Sequence, residues 1–169
     1  PSRSVPGRVT QRNAAGPIPD EWARWPVIST DPPYYDNISY ADLADFFYVC
    51  LRRALRGMYP TLFATLAVPK TEELIASAYR HGGKKEAEKF FLDGMTSAMR
   101  SISASANPAY PITIYYAFKQ SETRDVGTAS TGWETFLAAV LEAGLSITGT
   151  WPIQTEGDNR QVGVGNNAL

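Results

Sequence analysis

The apolar residues of this chain change their period several times, and each change marks an element. Trp25 to Thr30 (W-P-V-I-S-T) is a short apolar, β-branched run, the pattern of a buried strand. From Ser39 to Arg56 the spacing widens. Leu43, Phe46, Phe47, Cys50, Leu51, Ala54 and Leu55 recur every three or four residues, which predicts a helix with one apolar stripe turned to a core. Ser39 and Asp42 resemble a capping pair at its start, and Gly57 and Pro60 stop it. Glu72 to Tyr79 reads as a short helix with acids in its first turn, broken at His81-Gly82-Gly83. A longer helix is expected from Lys84 to about Ala104, with Ala87, Phe90, Phe91, Ala98, Met99 and Ile102 toward the core. Pro111 to Phe118 reads as a strand whose Tyr115, Tyr116 and Phe118 alternate across a sheet covered on both faces. Thr131 and Glu134 make a capping box for a helix from Gly132 to Ala143, and Gly144 sits where a terminal glycine belongs. Ser146 to Ile153 reads as a third strand.

Strand, helices, strand, helix, strand is the order of βαβ units, so the expected fold is α/β, a mainly parallel sheet with flanking helices. The two ends differ from this middle. Residues 1–26 are rich in Pro, Gly, Arg and Ser without a period and read as an extended or partly ordered lead-in. Residues 157–169 read as a polar loop or tail, which leaves 27–156 as the folded unit. In sheets of this kind chemistry collects at the carboxyl ends of the strands, which singles out the residues after Thr30, Phe118 and Ile153.

Composition narrows the class. A 44% hydrophobic and 20% charged chain of 169 residues has the makings of a packed domain, not of a disordered or fibrous one. A net charge of −1 argues against a stand-alone nucleic-acid coat or a basic membrane anchor, while leaving room for a local basic groove. One cysteine, Cys50, excludes an internal disulfide, and one histidine, His81, leaves too few ligands for a zinc site, so no metal is expected. With no signal-peptide pattern and no apolar run near the roughly 20 residues that span a bilayer, the expected setting is a reducing cytoplasm without membrane contact.

The chemistry-bearing motif comes directly after the first strand: Asp31-Pro32-Pro33-Tyr34, then Tyr35-Asp36-Asn37-Ile38-Ser39-Tyr40. Two prolines fix φ and remove two backbone donors, and a residue before proline is pushed toward extended geometry. The product is a rigid strand exit presenting a carboxylate, bare carbonyls and an aromatic ring. An exocyclic amino group on a base suits it. The Asp31 carboxylate and a backbone carbonyl would accept the two amino hydrogens and leave the nitrogen lone pair free to attack. Tyr34 would stack on a base flipped from its duplex. A sulfonium methyl donor would make the transfer a direct displacement, governed by alignment and electrostatics.

Asp31-Pro-Pro-Tyr34 at a strand end resembles the catalytic motif of the amino-methyltransferases, which methylate adenine N6 or cytosine N4 in DNA. The longer string Asp31 to Tyr40, then Asp45-Phe-Phe-Tyr48, is similar to a group of large prokaryotic adenine-specific DNA methylases. Tyr79-Arg-His-Gly-Gly-Lys84 and Thr150-Trp-Pro-Ile153 with Glu156 also look like that group. The resemblance spans about Trp25 to Leu169. It implies a Rossmann-like fold, S-adenosylmethionine as cofactor, DNA as partner and adenine N6 as target. Asp31 and the Pro32 carbonyl would then bind the amino group, with Pro33 stiffening the turn and Tyr34 on the base. Tyr35, Asn37, His81 and Lys84 are further candidates for substrate contacts. The family's glycine loop after another strand has no counterpart, since Gly163-x-Gly165 comes after a polar loop. That gap, with a start at Pro1, gives the expectation of a catalytic-motif half, inactive alone, whose cofactor half lies upstream.

Other readings stand beside this one. The motif fits a non-catalytic binding module with a remnant pocket, an amino-methyltransferase acting on RNA or protein, or a plain proline-terminated strand exit. Pro32-Pro33-x-Tyr35 also matches a WW-domain ligand. Arg80-His81-Gly-Gly-Lys84 reads equally as a helix end with a glycine turn after it. Cys50 reads as a small core residue. Lys119, Glu122, Arg124, Trp151 and Glu156 lie after strands and read as solvated loop or site margin.

Overall fold

A computed structural model of the chain describes residues 7, 9–18, 25–36, 38–119, 131–153 and 166–168. Its elements are β1 (Ser29–Thr30), α1 (Tyr40–Leu55), α2 (Ala78–His81), α3 (Lys84–Ser105), β2 (Thr113–Ile114), β3 (Ala117–Lys119), α4 (Thr131–Glu142) and β4 (Asn166–Ala168). The architecture is mixed α/β. β1 and β2 pair in parallel, Ser29 with Thr113 and Thr30 with Ile114. A parallel pair cannot be joined by a hairpin, and the intervening chain with α1, α2 and α3 makes the crossover. β3 and β4 form a separate antiparallel pair with Phe118 opposite Asn167.

The core lies between α3 and α4. Ala87, Phe91, Met95 and Met99 fall on one stripe of α3 and share a buried cluster with Phe136, Ala139 and Val140 of α4; Ala98 is buried on the same stripe. Tyr116, just past β2, closes the end of this core by stacking on Phe136 at 4.0 Å. Phe90 and Ile102, expected at the core, are only partly buried, and Met95 is a core residue that the spacing argument passed over. α4 stops as its glycine predicts, with Gly144 in the left-handed region at φ 82. The lead-in contributes a turn at 13–16, held on α3 by Ser101 Oγ, which donates to the Gly16 carbonyl at 2.8 Å.

Several expectations are corrected. Within Trp25 to Thr30 only Ser29–Thr30 joins a ladder, and the run Pro111 to Phe118 divides at Tyr115–Tyr116 into β2 and β3. Tyr115 is exposed while Tyr116 is buried, so this small sheet is not covered on both faces. Ser146 to Ile153 is exposed and forms no strand, only a single bridge at Ile153; β-propensity without burial against neighbours does not make a ladder. The polar tail, read as a loop, supplies β4, which pairs through backbone groups that side-chain pattern does not report. Glu72 to Tyr79 is a series of turns leading into α2. There Ala76 N donates to Tyr35 O at 2.8 Å and Ile75 N to Glu73 O at 2.9 Å, so these amides are spent outside a helical ladder.

The largest correction concerns α1. Its bounds hold, but Leu43, Phe46, Phe47, Cys50 and Leu51 face outward, so Cys50 is exposed and not a core residue. The opposite, polar face is the one that meets the body. Asp45 accepts Val68 N at 2.8 Å and Lys70 Nζ at 2.7 Å, Tyr48 bonds Thr65, and Arg52 Nε donates to Phe63 O. Ser39 makes no side-chain cap; instead Glu73, far along the chain, accepts Ala41 N at 2.9 Å. Among the described residues no helix is long and apolar enough to cross a membrane.

At Gly132 the first turn of α4 presses against Tyr35, and an added Cβ would stand 2.9 Å from the Tyr35 Cβ. That neighbour belongs to the backbone-fixed root of a side chain and cannot swing away. Gly132→Ala should therefore lower stability by about 1–3 kcal/mol, read as a lower urea midpoint at unchanged slope. An unchanged midpoint would show that the Tyr35 turn yields freely.

Candidate functional site

The β1–β2 ladder runs up to the motif: Tyr115 N donates to Thr30 O at 2.8 Å, and the next residue is Asp31. Pro32 is buried, Pro33 and Tyr34 are half-buried, and Asp31 is exposed. The carboxylate thus stands at the carboxyl end of a parallel strand on a turn that two prolines stiffen. Tyr34 Oη donates to Asp31 Oδ1 at 2.8 Å, and the Tyr34 ring meets Tyr116 edge-on at 5.7 Å and 82°. Tyr35 takes φ 30, a strained value for a non-glycine residue. Its ring lies edge-on to Phe91 at 5.2 Å, and its carbonyl is held by Ala76 N. The turn therefore divides two consecutive tyrosines, one to the carboxylate and one to the core.

Behind Tyr34 the aromatic floor continues through Tyr116, Trp133 and Phe136. Burial pushes the Tyr116 phenol up, keeping it protonated. Burial, and then the negative charges of Asp31 and Glu73, also raise the Tyr40 phenol, which places the start of α1 within the electrostatic reach of Asp31. An exposed carboxylate beside π-faces can accept hydrogens from an amino group while a planar ring lies on the aromatic surface.

The helix after the motif is anchored by charge. The Arg80 guanidinium bonds Glu73 Oε2, Asp42 Oδ2 and the Tyr79 hydroxyl, and Tyr79 donates in turn to Asp42 at 2.8 Å. Burial works against the Arg80 charge, yet its bonds with Glu73, Tyr79 and Asp42 outweigh this and raise its pKa. The Tyr79 hydrogen bond, with Arg80 beside it, lowers the Asp42 carboxyl; Lys70 and the Val68 amide lower Asp45.

Of the sequence candidates, Asp31, Pro32, Pro33 and Tyr34 lie together on the strand exit, whereas the Tyr35 ring turns into the core beside Phe91. His81 stacks on Phe90 at 4.0 Å, with Nε2 buried and without a hydrogen-bond partner among the described residues. Lys84 is exposed at the first position of α3. Trp151 is exposed and lies over Gly149. Asn37, Glu122, Arg124, Glu156, Gly163 and Gly165 lie outside the described residues, as does the side chain of Lys119. The sequence reads Glu73 as a solvated helix charge and Arg80 as a basic helix end, where the structure bonds Glu73 to Ala41 N and to Arg80. The string Tyr79-Arg80 was visible, but Asp42, which both residues bond, stands more than thirty residues away.

The described residues do not fit S-adenosylmethionine. β1 runs into Asp31-Pro32-Pro33 and β2 into Tyr115-Tyr116, neither with a glycine loop. Gly82 and Gly83 join two helices, and the Glu86 carboxylate fills the space above Gly83. Among the described residues no three His, Cys, Asp or Glu side chains converge as for a metal ion.

The Arg80 cluster generates two expected outcomes. Arg80→Met leaves the part-buried Glu73 without its cation and Asp42 with Lys70 alone, and should lower the urea midpoint. Because Asp42 and Asp45 are held below the usual carboxylate value of 3.8, their contribution is complete above that value and is lost as pH falls through the lowered range. The urea midpoint should fall on acidification below that value, and less steeply in Arg80→Met; equal slopes would contradict the cluster's role. Comparisons with protein-family models, with curated proteins and with solved structures find no match.

Proposed function

We propose that this chain carries the base-binding part of a DNA amino-methyltransferase, acting on the exocyclic amino group of a flipped base, adenine N6 first. The observation that carries the reading is the exposed Asp31 carboxylate on a proline-stiffened exit from a parallel strand, bonded to Tyr34 beside an aromatic floor.

In this reading Asp31 and the Pro32 carbonyl accept the two amino hydrogens, which keeps the nitrogen lone pair out of the ring and available. Asp31 Oδ1 already accepts from Tyr34, so base entry exchanges that bond for one from the amino group at little net cost. The Tyr34 ring would then stack on the base, backed by Tyr116. As the nitrogen gains positive character, the neighbouring carboxylate stabilises it. A sulfonium donor such as S-adenosylmethionine would supply the electrophilic methyl group, and the described residues hold no cradle for it.

The lack of a cofactor cradle in the described residues also favours a second reading, a module that binds a base without methyl transfer. One experiment separates the two. The complete gene product carrying this chain is incubated with DNA and labelled S-adenosylmethionine, and the nucleosides are resolved by mass. N6-methyladenine is expected, with Asp31→Ala losing about a thousandfold in rate at unchanged circular dichroism. Undiminished transfer in Asp31→Ala would remove the catalytic assignment; DNA binding without any transfer would leave the module.

A further inference from the structure

Among the described residues no other helix or strand packs on α1, and Ala41 is its one buried residue. Beyond its first turn, its side-chain bonds lead to the segment that follows it. Asp45 accepts Val68 N and Lys70 Nζ, Tyr48 bonds Thr65, and Arg52 Nε donates to Phe63 O. The buried Phe63 ring leans on Tyr48 at 5.4 Å. Residues 40–70 thus hold themselves together as an arm, a helix and its return. None of their described side chains belongs to the apolar cluster between α3 and α4, or to the half-buried hydrophobics packed on it. A small polar joint at the arm's base does the fastening instead. Asp42 bonds Arg80 and Tyr79, and Ala41 N donates to Glu73 Oε1 at 2.9 Å. These partners are fixed on the core side. Tyr79 and Arg80 lie in α2, which packs on α3, and Leu74 and Ala76 beside Glu73 rest on or in the cluster.

We infer that residues 40–70 are a strap that opens and closes as one unit against the α3–α4 core, with the joint between Asp42 and Arg80 as its clasp. The two kinds of contact differ in what their loss costs. Opening gives up the bonds of Ala41 and Asp42 and takes no side chain out of the apolar cluster. Unravelling the arm would also give up the bonds to Phe63, Thr65, Val68 and Lys70 and the packing of Phe63 on Tyr48. The cheaper motion is therefore the one that keeps the arm whole, as in domain closures that leave each body's interior intact. Both halves of the clasp keep a charged neighbour when it parts. Asp42 stays beside Lys70 of the arm, and Arg80 stays paired with Glu73, whose side chains are only 9% and 13% exposed. Neither side is left as an isolated sheltered charge, which would forbid the open state. The arm's first residue, Tyr40, lies within the electrostatic reach of Asp31, so the strap is also a side wall of the strand exit.

Two spin labels on the full chain test this by pulsed dipolar spectroscopy. One goes on Cys50, the chain's single cysteine, exposed on α1; the other goes on Lys85→Cys, at an exposed position in the first turn of α3. The otherwise wild-type chain should give one narrow distance distribution. Asp42→Ala removes the arm's half of the clasp and leaves the Arg80–Glu73 pair in place. It should move roughly half of the molecules or more to longer distances, with the helical circular dichroism unchanged. Arg80→Met should move at least as many. A wild-type distribution retained in Asp42→Ala would overturn the inference, and so would a distribution already broad before the substitution. Broadening together with loss of helical circular dichroism would overturn it as well, because the joint would then hold the helix itself together and not the arm to the core.

Discussion

The parallel pairing of β1 with β2 is the constraint that sets the other elements in place. Two residues on each side make the ladder, and Thr30 O accepts Tyr115 N at its last rung. That bond fixes Asp31 on one side and Tyr116 on the other, so the carboxylate and the aromatic floor are set by one register. A slip by one residue would move Tyr116 off Phe136 and turn its ring out of the core. The long α3 supplies the surface on which this register rests, through Phe91, Met95 and Met99.

The motif also dictates the path of the chain beyond it. After Pro32 and Pro33 the chain must turn sharply, and the positive φ at Tyr35 makes that turn. Such strain persists only where neighbours hold it, and here Ala76, Phe91 and Gly132 all bear on the same residue. α1 then begins within reach of Asp31 and is fixed by Arg80, Glu73 and Lys70. The cluster joins the site to the helix by charge instead of apolar packing. It also explains how a helix with a strong apolar stripe can hold its place with that stripe in water.

The sequence made some of this legible and hid the rest for physical reasons. The strand exit was readable because its residues are contiguous: Asp31 to Tyr34 carry their own stiffening, and the structure sets them at the end of β1. α3 and α4 were readable because each buries one face against the other, and a buried face writes a period into the chain. α1 wrote the same period, yet periodicity reports that a stripe exists and not what covers it. The polar bonds that choose its orientation come from Phe63, Val68, Lys70, Glu73 and Arg80, distant residues that no local pattern links to it. Strand pairing was the least legible. Ser146 to Ile153 has strand composition but only a single bridge, at Ile153, while Asn166–Ala168 has a paired strand and no strand composition.

The role proposed for Asp31 is to read an amino group on a base that rests on Tyr34. The most direct measurement compares the affinity of the complete gene product for a single-stranded oligonucleotide carrying adenine with one carrying purine, which lacks the amino group. Adenine should bind about tenfold more tightly or better, the value of hydrogen bonds to a charged acceptor, and Asp31→Ala should abolish the difference. Equal affinity for the two bases, or a difference that survives in Asp31→Ala, would contradict that role.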